Sequence, residues 1–154
     1  YASMLRSNRA AMRLFNRHGV HACTDVTGFG LAGHLSEMLR ASGVGAQLYG
    51  DAIPALPGAL ELLAAGWRSS FHAVNAPAVT AAASSQDAVS ALSDLCFDPQ
   101  TSGGLLAAVP AAAVNALRTD FAAAAEDLFV IGEFIAGAEW EFRARVKRSN
   151  VTES

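Results

Sequence analysis

Thr24-Asp25-Val26-Thr27-Gly28-Phe29-Gly30 reads as a junction between two kinds of periodicity. The short stretch 20–24 leading into it reads as a strand. The following segment, 31–41, carries Leu31, Leu35, Met38 and Leu39 on one side of a helix and His34, Glu37 and Arg40 on another. A strand that ends in a carboxylate and passes through two glycines into a helix leaves the first amides of that helix pointing outward, a place that can hold phosphate oxygens or a hard cation. Asp25 is a sufficient protein contribution to a magnesium ion, which binds through one or two carboxylates and completes its shell with nucleotide phosphates and water. The competing reading is a capped turn whose glycines serve tight packing, because short glycine motifs are weak evidence by themselves.

Upstream, Leu5, Met12 and Phe15 fall near one face of a helix expected over 3–17, closed by Gly19. Arg6, Arg9, Arg13 and Arg17 form a stripe along it, either a solvated face or a contact with another domain or subunit. Downstream, Ser42-Gly43 stops the junction helix, and 44–49 is a strand. Pro57 suits the first turn of a helix carrying Leu60, Leu62 and Leu63, which Gly66 closes. Residues 68–75 are ambiguous, and the Ala/Ser-rich stretch 76–90 reads as a short helix plus a mobile loop with no chemistry of its own. Beyond it come a strand over 105–109, a helix opening at Pro110 and passing through Phe121, and two strands over 128–135 and 140–146. Helices alternating with strands give an α/β (α+β) class: a mixed β-sheet with packed helices, in a single domain over 1–147 followed by a frayed tail over 148–154.

The second dense cluster is Asp98-Pro99-Gln100-Thr101-Ser102-Gly103-Gly104, a run of turn formers set directly before an apolar strand. It offers a carboxylate, an amide, two hydroxyls and two small residues, a composition suited to a polar ligand and equally to a self-bonded loop. His34 reads as a surface or supporting residue, and His18, His21 and His72 have no partner pattern. The chain of 154 residues is 52% hydrophobic and only 16% charged, with a formal net charge of -3, so neither a nucleic acid nor a membrane surface is an expected partner. Its longest apolar runs fall short of the roughly 20 residues of a membrane span. Cys23 and Cys96 form no paired motif, which suits reducing, cytoplasmic surroundings. Lys147 is the only lysine, and the chain opens at Tyr1 rather than at a methionine, so a piece of a longer product is expected.

Taken together, Cys23-Thr24-Asp25-Val26-Thr27-Gly28-Phe29-Gly30-Leu31 and, about seventy positions later, Phe97-Asp98-Pro99-Gln100-Thr101-Ser102-Gly103-Gly104-Leu105-Leu106 resemble the selenophosphate synthetases (selenide, water dikinases). The likeness extends through Gly58 to Leu62, the Asn75 region and Ile131-Gly132. The first segment alone fits other members of the aminoimidazole ribonucleotide synthetase superfamily, and the second points to the selenophosphate branch.

This resemblance implies the carboxy-terminal domain of a two-domain, cytoplasmic, homodimeric enzyme. That enzyme uses ATP and magnesium to make selenophosphate from selenide and water, releasing AMP and orthophosphate. It implies an amino-terminal ATP-binding domain, absent from this sequence, that supplies a reactive cysteine or selenocysteine and a lysine. It makes Asp25 the metal ligand, with no catalytic residue in this chain and a domain inactive by itself. Thr27, Gly28, Gly30, Asp98, Gln100, Thr101, Ser102, Gly103 and Gly104 are then contacts to nucleotide or substrate. The alternatives are a sibling ATP-dependent enzyme, such as a thiamine-phosphate kinase or a hydrogenase-maturation protein, and a non-catalytic binding module of the same fold.

Overall fold

Strand β1 (Ala22–Asp25) pairs antiparallel with β3 (Leu105–Ala108), in a register that sets Ala22 opposite Ala108 and Asp25 opposite Leu105. The computed structural model in which this is seen describes residues 2–80, 91–137 and 140–143; the expected tail and most of the expected Ala/Ser-rich loop lie outside them. Two further backbone bonds lengthen the ribbon, from the His21 amide to the Ala108 carbonyl (2.8 Å) and from the Val26 amide to the Gly104 carbonyl (3.0 Å). Because side chains alternate along a strand, the ribbon serves two cores. Leu106 is buried on one side with Val26, while Leu105, Ala107 and Cys23 pack on the other.

The first core is closed by helix α2 (Gly30–Ser42), whose Leu31, Leu35 and Leu39 recur at helical spacing and are buried against Ala46 and Leu48 of β2 (Gly45–Tyr49) and against Cys96 and Phe97. Gly43, at φ 64°, ends α2 in the left-handed conformation that glycine adopts without a Cβ clash. The second core is formed by Leu14 and Phe15 of α1 (Arg9–Arg17) with Leu117 and Phe121 of α6 (Val114–Ala123), the two phenyl rings lying 5.0 Å apart. Strand β2 is the centre of a separate three-stranded sheet, antiparallel to β4 (Gly132–Ile135) and parallel to β5 (Trp140–Arg143). The mixed α/β class is therefore present, with its strands divided between a ribbon and a mixed sheet.

Several boundaries differ from those expected. Helix α1 starts only at Arg9, so Arg6 precedes it and reaches Glu126 (3.1 Å) and Asp127 (2.9 Å), beyond the end of α6. Arg17 reaches Asp120 of α6 at 3.3 Å, while Arg9 and Arg13 are exposed. Two members of the arginine stripe thus join elements of this chain. Pro57 stands before α3 (Ala59–Ala64) rather than in its first turn, and the ambiguous region resolves into α4 (His72–Thr80). The sequence reading assigned no helix to 91–97, where α5 (Ala91–Phe97) lies. No described helix is long and apolar enough to cross a membrane.

His18, at the carboxy-terminal end of α1, bonds the Asp120 carboxylate at 2.8 Å, so it has a partner that the sequence did not indicate. That hydrogen bond, reinforced by the nearby Arg17, holds the Asp120 carboxyl below its ordinary value of 3.8. A carboxyl depressed on folding stabilises the fold in full above its unfolded value, and the contribution is lost as pH falls through the folded one. Replacing Asp120 by Asn should therefore lower the melting temperature at neutral pH, and the difference from wild type should vanish as pH is taken well below 3.8 in a thermal-melt series.

Candidate functional site

The β1/β3 register brings the two sequence clusters together. Chain leaving β1 at Asp25 and chain entering β3 at Leu105 are partners in an antiparallel pair, so 26–30 and 98–104 stand at the same end of the ribbon. The Gln100 amide donates to the Thr27 carbonyl (3.1 Å), beside the Val26-to-Gly104 bond. Gly30, at φ 70°, has so little room that a Cβ would lie 2.7 Å from the Cys96 carbonyl oxygen and 3.0 Å from that of Asp98. At Gly103 a Cβ would fall on the Val26 carbonyl oxygen and 2.9 Å from Gln100 Oε1. The close-packing reading of these glycines and the ligand reading therefore coexist, since the packing is what joins the two loops.

Three side chains fasten this arrangement. Asn75 of α4, only 6% exposed, donates through Nδ2 to the carbonyls of Gly28 (3.0 Å) and Phe97 (3.1 Å), one on each segment. Asn8 occupies the N-cap position of α1 without capping it, and its Nδ2 donates instead to the Gly103 carbonyl at 2.9 Å. His34 of α2 is buried, contrary to the polar-face expectation. It lies three residues beyond Leu31, about 60° around the helix, and so shares the buried side. Its Nε2 accepts the Thr27 amide at 3.1 Å, and the Thr27 hydroxyl lies at the same distance.

Behind Asn75, the buried carboxylate of Asp94 on α5 is paired with Arg68 and with His72 Nε2 (3.1 Å), and the His72 ring stands edge-on to Phe97 at 5.9 Å. A buried carboxylate requires such partners. This one ties α4 to α5 and sets the position from which Asn75 reaches both loops. His72, like His18, thus has an acidic partner that spacing did not reveal.

Asp25 stands exposed at the end of β1, and Thr101 and Ser102 form an exposed crest, Ser102 in the left-handed region at φ 57°. Asp98 is half-buried and lines a separate concavity of about 280 Å³ with Leu62, Leu63, Trp67, Arg68 and Ser69. Burial raises the Asp98 carboxyl, and His72 opposes part of that rise. Cys23 is half-buried, its thiol raised by burial and then by Asp25; Cys96 is pushed up to about 12 by burial. Neither thiol is a nucleophile at neutral pH. Among the described residues no three His, Cys, Asp or Glu side chains gather to hold a metal by themselves.

The family model for the AIR synthase related protein, C-terminal domain, matches residues 2–145. The chain belongs to this family. Across 141 residues it is 43% identical to the selenide, water dikinase of Escherichia coli O139:H28 (strain E24377A / ETEC), and likewise to that of Shigella flexneri. It is 42% identical to that of Escherichia coli O9:H4 (strain HS). Each match covers 86% of this chain and 38% of the relative, so the chain spans well under half the length of the curated relatives it matches.

The two adjacent loop glycines give a direct test of the joint. Gly103→Ala should destabilise the fold by at least about 2 kcal/mol, because the added methyl meets backbone rather than a movable side chain. Gly104→Ala, where a Cβ meets nothing within 4 Å, should stay within about 0.5 kcal/mol of wild type in denaturant titrations.

Proposed function

We propose that this chain is the carboxy-terminal domain of a selenide, water dikinase, which makes selenophosphate from selenide, ATP and water and releases AMP and phosphate. The observation that carries this reading is the meeting of the Asp25 and Gln100 segments at one end of the β1/β3 ribbon, with Asp25 exposed beside the Thr27 turn. The names of the relatives support it. On this reading the domain spans 1–147, acts in the cytoplasm and works within a homodimer. It faces an amino-terminal ATP-binding domain that brings the reactive cysteine or selenocysteine and the lysine, and Arg9 and Arg13 are exposed for contact with that domain or with a second subunit.

Asp25 suits a share in a magnesium site. It is one exposed carboxylate, and Thr27, two residues on, offers oxygen, the donor that magnesium prefers. When bound, magnesium neutralises charge on the phosphoryl oxygens during transfer. Asp25 contributes one anionic oxygen to that compensation, while the fastened loops hold the Thr27 hydroxyl and the crest hydroxyls of Thr101 and Ser102 toward the polar ligand without reorganisation. The described residues include no lysine and no reactive thiol, which supports a domain that positions and compensates rather than attacks.

Asp25→Asn should leave the fold within about 0.5 kcal/mol of wild type, because the side chain is exposed. In the complete enzyme it should lower selenide-dependent AMP formation by about a hundredfold. A magnesium titration of turnover, with circular dichroism as the folding control, is the measurement; near-normal turnover at low magnesium would remove Asp25 from the metal site. The chain by itself should show no tight ATP binding by calorimetry, and micromolar affinity would place the nucleotide site within this domain.

A further inference from the structure

The imidazole of His34 is fixed by what surrounds it. The Thr27 amide points its hydrogen along a direction set by the backbone, and it donates to Nε2 at 3.1 Å, so Nε2 carries a lone pair rather than a proton. The remaining nitrogen, Nδ1, is buried without a hydrogen-bond partner among the described residues, and the nearest carboxylate, Glu37 Oε2, stands 3.8 Å from it. Phe29 covers the ring at a centroid distance of 5.7 Å. A negative charge beside Nδ1 and a donor at Nε2 select one tautomer, the neutral ring protonated on Nδ1.

This has a consequence for the Thr27 hydroxyl, which also lies 3.1 Å from Nε2. A bare pyridine-type nitrogen can share its lone pair between two donors, here the Thr27 amide and the Thr27 hydroxyl. With no proton on Nε2, the hydroxyl hydrogen is what faces the ring, and the Thr27 oxygen lone pairs are left for a partner outside the protein. We propose that His34 is a positioning residue of the site: it anchors the Thr27 amide in the turn after Asp25 and accepts the Thr27 hydroxyl proton, which turns the Thr27 oxygen lone pairs outward to accept from the bound phosphate-bearing substrate. The anchoring rests on geometry alone, and the destination of the hydroxyl rests on the function proposed above.

The role predicts a distinction between acceptor and bulk. In His34→Gln, Oε1 can accept the Thr27 amide; in His34→Leu nothing can. Long-range proton–nitrogen NMR on the chain as it stands should show His34 protonated on Nδ1 with Nε2 bare. Exchange of the Thr27 amide should be slow in wild type and His34→Gln and accelerated in His34→Leu.

In the complete enzyme, His34→Leu should lower kcat by about tenfold or more, with a smaller change in KM, and His34→Gln should restore most of it. Thr27→Val should lose activity where Thr27→Ser retains it. A proton on Nε2 in the wild-type spectrum, or unchanged Thr27 exchange in His34→Leu, would overturn the anchoring. Full activity of His34→Leu or Thr27→Val would overturn the positioning role. Should His34→Leu fail to fold, the wild-type spectrum and the exchange and kcat of His34→Gln still decide. Absence of selenide-dependent AMP formation in the wild-type complete enzyme, with the His34 tautomer as stated, would instead strike the functional reading and leave the anchoring standing.

Discussion

The antiparallel register of Asp25 against Leu105 is the constraint on which the rest depends. Two polar segments about seventy residues apart have no local reason to meet, and closing so long a loop costs conformational entropy. What offsets that cost is the apolar content of the ribbon. Leu106 and Val26 are buried in one core, and Leu105, Ala107 and Cys23 pack on the other, so each strand is held on both faces. The polar loops then emerge at the strand ends, with their relative position already decided by the packing of side chains that touch no ligand.

Beneath the loops lies a second tier whose logic is polar rather than hydrophobic. Asn75, His34 and Asp94 are all buried, and the first two spend their hydrogen bonds on backbone groups of the site. Such bonds contribute on the order of 1 kcal/mol each to net stability, but leaving a buried partner unmade costs more. Their effect is to exclude other loop conformations. Asn8 illustrates the priority: at a helix N-cap, where asparagine ordinarily bonds the first turn, its side chain goes to Gly103 instead.

Much of this was legible in the sequence, for identifiable reasons. The strand–turn–helix junction at Asp25 announced itself by a change of period and by glycines, and α2 and its Gly43 stop fall where leucine spacing puts them. For His34 the surface alternative and the polar-face placement fail, since its position three residues after Leu31 already placed it on the buried side, while the supporting alternative agrees with its bond to the Thr27 amide. Its polarity outweighed its geometry in the reading, whereas the fold used the polarity internally. The Asp94 network, the Asp120 pair and the diversion of Asn8 were not legible, because each joins residues on different elements through tertiary contacts that no spacing encodes. Helix α5 escaped notice because its one strongly polar residue, Asp94, faces inward and blurs the amphipathic stripe.

The alternation of Leu105 and Leu106 between two cores has a further consequence for how the site is built during folding. In a ribbon with one wet face, a slip of pairing by two residues preserves the pattern and yields a near-miss. Here a slip by one exchanges the two cores' contents, and a slip by two puts Gly103 and Gly104, or in the other sense Ala107 and Ala108, into the places made for Leu105 and Leu106. Every neighbouring alignment gives up apolar burial, so the register that sets the geometry around Asp25 is specified by both cores at once.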